Sequence, residues 1–191
     1  MSIHSDAQVR LIICDFANTD AAGKLNVIGG GISFMGSGPQ GQTSPFSVAV
    51  IVNVPSKYSG QQFVLSLELF DETRKQVVQA PAASGAAEAL RVQQMVTLAH
   101  IQLPSHVQTP PDAEVQHVMV MNFPTGLPLQ ASTYDWKVQI DAQNRPGWYS
   151  RFHVLGPAPG PIFGGPTGPS DITGIAQPFA ATKDEPEPPH S

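Results

Sequence analysis

The chain has 191 residues, and only 13% of them are charged against the roughly 25% usual for globular proteins. Ten basic and fifteen acidic residues give a formal charge of -5, and no basic run exceeds the pair Arg74 and Lys75. The footprint that phosphate backbones need is missing, so nucleic acid is not an expected partner. No run approaches the roughly 18 apolar residues of a membrane span, and the opening "MSIHSDAQVR" lacks a basic start and an apolar core, so neither a membrane partner nor a secretory leader is expected.

In chain order, "QVRLIICDF" reads as the first strand. Its Cys14, the single cysteine, reads as a small buried hydrophobe. Asp15 follows, and a carboxylate in a buried strand calls for a partner: Arg10, Lys24, or the backbone of the "ANTDAAG" turn, which Asp15 is expected to cap. "KLNVIGGGISF" is the second strand, interrupted by Gly29, Gly30 and Gly31. A phosphate cradle needs amides converging at a helix start, with Lys and Ser/Thr after the last glycine. Here Ile32, Ser33 and Phe34 follow and extend a strand, Lys24 lies before the glycines, and the dinucleotide spacing fails. The three are therefore read as structural glycines at a bulge, a bend or a close backbone approach, with a neighbouring subunit's chain as the alternative occupant of that bare backbone.

"SPFSVAVIVNVP" alternates with Phe46, Val48, Val50, Val52 and Val54 on one face and a mixed face opposite, bounded by Pro45 and Pro55. "QQFVLSLELF" places Phe63, Leu65, Leu67 and Leu69 on one side with Ser66 and Glu68 opposite. "DETRK", with Asp71 and Glu72 as turn residues, returns the chain through "QVVQ". The "QAPAASGAAEA" stretch is a loop, and Arg91 to Leu98 is read as strand, although residues 86–99 leave strand or helix open because neither period dominates. "EVQHVMVMNF" is a strand apolar on both faces near its centre. "STYDWKVQIDAQ" alternates, with Tyr134, Trp136, Val138 and Ile140 inward. After the "NRPG" turn, "GWYSRFHVLG" closes the domain with Trp148, Phe152 and Val154 facing the core.

Eight or nine strands without alternating helices predict an all-β domain over residues 1–156, an antiparallel β-sandwich of jelly-roll or immunoglobulin-like type. From Pro157 the composition changes: residues 157–191 hold nine of the nineteen prolines, so neither sheet nor helix is expected there. This Pro/Gly-rich C-terminal arm carries spaced apolar residues, Ile162, Phe163, Ile172, Ile175 and Phe179, as candidate assembly anchors.

No catalytic, cofactor-binding or metal-binding set stands out. The histidines at 4, 100, 106, 117, 153 and 190 show neither the i, i+4 helical nor the i, i+2 strand spacing common in metal sites. His117 and His153 lie on strands and are candidates for neighbours across a sheet. An enzymatic reading would have to join Asp15 with His117 or His153 in one pocket. A ligand-binding reading would instead need Tyr58, Trp148 and Tyr149 in one concavity.

The pattern "ICDFANTDAAGKLNVIGGGIS", then "PFSVAVIVNVP" and "LPLQASTYDWKVQID", resembles a family of uncharacterised bacterial and actinophage proteins. The resemblance covers about residues 9 to 155, and its most specific elements are Gly23, Lys24, Leu25, Gly29, Gly30 and Gly31. It brings no activity; it implies a β-sandwich and, for an actinophage member, a place in the virion. The expected role is a non-enzymatic structural protein, a capsid decoration or minor capsid protein. Its expected partners are other virion proteins or copies of itself. The alternative is a cytoplasmic binding module for a small ligand, a sugar or a peptide.

Overall fold

The computed structural model describes residues 2–38, 41–79, 88–100, 110 and 112–156. The expected anchors Ile162, Phe163, Ile172, Ile175 and Phe179 lie outside the described residues, as does most of the loop before β9.

Among the described residues the fold is all-β apart from one helical turn, α1 (Ile3–Asp6), and one 3-10 turn (Ser56–Tyr58). A three-stranded sheet has the order β1 (Gln8–Cys14), β5 (Phe46–Pro55), β10 (Glu114–Phe123), all antiparallel. A five-stranded sheet has the order β4 (Phe34–Gly36), β12 (Tyr149–Leu155), β11 (Ser132–Ile140), β6 (Gln62–Asp71), β9 (Arg91–Thr97), antiparallel except for the β4–β12 edge pair. Two short ribbons complete it, β2 (Phe16–Thr19) with β3 (Leu25–Ile28), and β7 (Val78–Gln79) with β8 (Glu88–Ala89). Twelve strands among the described residues thus replace the eight or nine expected. The 88–97 region is strand, since β6 offers β9 a full edge from Gln62 to Glu68.

The period-2 faces meet in one core. Phe46, Val48, Val50, Val52 and Val54 are at most 2% exposed, and so are Phe63, Leu65, Leu67 and Leu69. Aromatic rings stitch the two large sheets together: Phe123 stacks on Trp136 at 5.5 Å and Phe46 lies 6.2 Å from Phe152. Such pairs add about 0.5 to 1.5 kcal/mol each beyond their buried area. Tyr134, Val138, Ile140, Trp148 and Val154 are buried as their alternation requires.

The second faces of β5 and β6 are covered as well. Behind β5, Ala49 packs with Cys14 and Ala17 in a second small core, flanked by Ile12, Leu25 and Val120. The β2–β3 ribbon therefore lies on the outer side of the three-stranded sheet. On the outer side of β6, Ser66 and Glu68 are buried under long side chains. Arg91 pairs with Glu68 at 2.9 Å, Gln139 donates to Glu68, and Gln93 donates to Ser66.

The "DETRK" turn is held by Asp71, whose Oδ1 accepts from Thr73 Oγ1 at 2.7 Å and from the Lys75 amide at 3.0 Å. Those bonds, the Thr73 hydroxyl first, hold its carboxyl below the usual range. The return along β6 lasts only through Gln76 and Val77; Val78 and Gln79 then pair with β8 instead.

Candidate functional site

The glycine run separates two strands and does not bend one. Strand β1 passes through Asp15 into β2, and the β2–β3 ribbon brings the chain back so that the Asp15 amide donates to Ile28 O at 3.1 Å. The amides of Gly31 and Ile32 then both donate to Ile13 O, at 2.9 and 3.0 Å. Two residues on, Ser33 O accepts from the His153 amide, and Phe34–Gly36 joins the five-stranded sheet beside β12. Gly29, Gly30 and Gly31 thus carry the chain off the outer ribbon, along β1, and into the other sheet. Gly29 takes φ +64°, and a Cβ built there would overlap the Asp15 carboxylate. Two amides that a phosphate would need are spent on one carbonyl, and a strand follows them.

Asp15 is not the turn cap. Its carboxylate is exposed and pairs with neither Arg10 nor Lys24 among the described residues. Asp20 caps the turn instead, its Oδ1 accepting from the amides of Ala22 at 2.9 Å and Lys24 at 2.8 Å. Sitting inside the five-residue loop between β2 and β3 lets a short side chain reach both amides, which Asp15 is too far upstream to do. Cys14 is fully buried, as expected, and burial pushes its thiol up.

His117 and His153 are not neighbours on a sheet: His117 is on β10 opposite Val52, and His153 is on β12 opposite Thr133. Alternation within each strand cannot tell which sheet a strand joins. His153 Nδ1 lies 2.9 Å from Thr133 Oγ1, and its ring stacks on Phe34 at 5.2 Å. His117 stands between Val115 and Met119 on the core-facing side of β10, with Nε2 buried and without a partner. Among the described residues no group of three His, Cys, Asp or Glu side chains is placed to hold a metal ion.

Burial lowers the pKa of His117 from 6.5. The unfolded chain therefore binds more protons than the folded one below about pH 6.5, so this group costs stability as pH falls through that value toward its folded pKa. Replacing it, as in His117→Leu, should flatten the fall in melting temperature between about pH 7.5 and about pH 5. Thermal melts across that range check this, and an unchanged slope would contradict it.

The three aromatic residues of the binding reading divide. Tyr58 is buried under α1, where its hydroxyl donates to Asp6 Oδ2 at 2.9 Å and to Ser2 O at 3.2 Å. Asp6 also pairs with Lys57 at 2.6 Å, and the Lys57 and Tyr58 bonds bring its pKa down to about 2. Trp148 and Tyr149 do share a concavity of about 270 Å³ with Lys137, Asn144, Arg145 and Pro146. The Arg145 guanidinium donates to Ser5 O at 2.8 Å and lies 5.8 Å from the Trp148 ring, while His4 packs edge-on to that ring at 5.2 Å. The N-terminal turn thus braces the β11–β12 hairpin that builds the cleft. Lys137, Asn144 and Arg145 went unnoticed in the sequence; the nearest signal was a cation three and four residues before Trp148 and Tyr149.

No helix among the described residues is long and apolar enough to cross a membrane. No family model and no curated protein matches the chain.

Proposed function

We propose that the two large sheets form the β-sandwich scaffold of a non-enzymatic structural protein, a capsid decoration or minor capsid component of a phage particle. The arm of residues 157–191 tethers it to a repeating assembly. The observation that carries this is the arm's composition, prolines with apolar side chains at 162, 163, 172, 175 and 179. The low surface charge and the resemblance to an actinophage family support it further. Proline-rich chain extends about 3.1 Å per residue, so the arm can span on the order of 100 Å. Prolines also restrict the free chain, which lowers the entropy lost on docking. Burial of Phe163 and Phe179 would contribute about 1.5 to 3 kcal/mol each, and repetition over many copies multiplies modest affinity. Partners in this reading are virion proteins or further copies, and the location is the virion.

Truncation after Gly156 is expected to leave the melting temperature nearly unchanged while weakening incorporation into the particle or oligomer. Thermal denaturation and gradient sedimentation of the two forms read both effects. A truncated protein that assembles as well as the intact one, or that does not fold, overturns the tether.

A further inference from the structure

The cleft at Trp148 and Tyr149 continues past Arg145 and Pro146 into a second hollow of about 340 Å³ that reaches Arg10. Three cations border the pair of hollows, and none of them has a carboxylate partner among the described residues. Lys137 lies over the Phe70 ring at 4.1 Å, Arg145 is bonded to a backbone carbonyl, and Arg10 is exposed. The nearby carboxylates Asp6, Glu68 and Asp135 are paired with Lys57, Arg91 and Arg151, while Asp141, which accepts from the Val64 amide at 2.9 Å, keeps its charge and offsets one of the three cations. In a chain of formal charge -5, this end of the domain is therefore locally basic, with a half-exposed Tyr149 ring beside it. Cations next to an exposed aromatic ring suit an acidic, proline-rich peptide, whose carboxylates pair with Lys and Arg while its prolines lie on the ring.

The geometry points to one such peptide, the segment 183–191 of a second copy of this chain. Its sequence, "KDEPEPPHS", sets Asp184, Glu185 and Glu187 among Pro186, Pro188 and Pro189. Strand β12 starts at the cleft with Tyr149 and ends at Leu155, where Ser37 bonds the Leu155 carbonyl. On the tether reading each copy sits beside others in a repeating array, so a tail docked on a neighbour's cleft makes the head-to-tail contact such an array needs. This inference rests on the tether reading and gives the tether a receptor.

The test uses a fluorescent peptide of residues 183–191, amidated at its end, and the full chain carrying D184K, E185K and E187K so that its own tail does not compete. Saturable binding is expected, weakened about tenfold by K137E, a loss of about 1.4 kcal/mol. Y149A should weaken it as well, K137R should retain it, and salt should reduce it. Because both sites are exposed or half-exposed, thermal melts establish that the variants fold, and K137R and Y149A stand if K137E does not. The unaltered chain should also self-associate with rising concentration, and K137E should abolish this. Absence of peptide binding, binding indifferent to K137E and Y149A, or equal binding of a scrambled peptide overturns the proposal. Peptide binding with a wild-type chain that stays monomeric at every concentration places the tail on its own domain and also overturns it. Failure here with loss of assembly on truncation would leave the tether standing without this receptor, and the opposite pair of results would remove the tether alone.

Discussion

A Gly126→Val variant is expected to lose roughly 3 kcal/mol or more of stability, since αL strain and a backbone collision add. Gly126 is buried at φ +70°, a region a β-branched residue rarely enters. A Cβ there would overlap the Thr43 carbonyl oxygen and come within 2.8 Å of both Thr43 C and Thr43 Oγ1. Thr43 cannot retreat without breaking what it holds: its amide donates to Leu127 O and its hydroxyl oxygen accepts from the Leu127 amide, both at 2.9 Å. Those bonds tie the entry to β5 to the loop leaving β10, next to the Phe46–Phe123 stack at 4.8 Å. The melting temperature should fall by about 10 °C for a domain of this size. A value within error of the parent would show that the Thr43–Leu127 lock contributes nothing.

Gly29→Val is expected to cost about 2 kcal/mol, most of it from forcing a β-branched residue to φ > 0. The Asp15 carboxylate that its Cβ would meet is exposed and can swing aside, so the collision is cheaper than at Gly126. Gly30 has no left-handed φ, and its Cβ would lie 3.2 Å from Val27 Cγ1 and 3.4 Å from Ile12 Cγ2. Gly30→Ala should therefore be milder than Gly29→Val, and the order Gly126, Gly29, Gly30 can be read from denaturant midpoints. None of these variants should alter the response to inorganic phosphate. A phosphate affinity that disappears with Gly29 or Gly30 would mean that the run is a ligand cradle after all.

Strands with a clean period were legible from the sequence, because an apolar core face and a more polar second face force alternation of residue type: β11 also alternates in burial from Tyr134 on, whereas β5 and β6 are buried on both faces over Phe46–Val50 and Leu65–Leu69. The β2–β3 ribbon was not legible as a cover. Its contact residues, Cys14, Ala17 and Ala49, are small, and small residues give little pattern even where they permit close packing of a second layer. Ala17–Thr19 reads as part of the "ANTDAAG" connection and Phe16 as the end of the first strand, and of the four residues of β2 only Ala17 is buried. The α1 turn had a signal in Ser2 and Ser5, whose side chains cap each other's backbone, but four residues carry no periodicity. The cleft could not be found by spacing, since Arg10 comes from β1 of the three-stranded sheet and Lys137 and Arg145 from the β11–β12 hairpin of the five-stranded one, and only the packing of the two sheets brings them to one end. The histidine pairing failed for the same reason, as register within a strand says nothing about which sheet that strand joins.

We propose that this protein is a fixed part of a large assembly. The most direct test is density-gradient fractionation of cells that produce the particle, with the full chain detected by antibody in every fraction. The protein is expected to migrate with virus-sized particles, at many copies per particle, and the form ending at Gly156 to be depleted from those fractions. A full chain found only among small, slowly sedimenting species, with the particle fractions empty of it, would contradict the account.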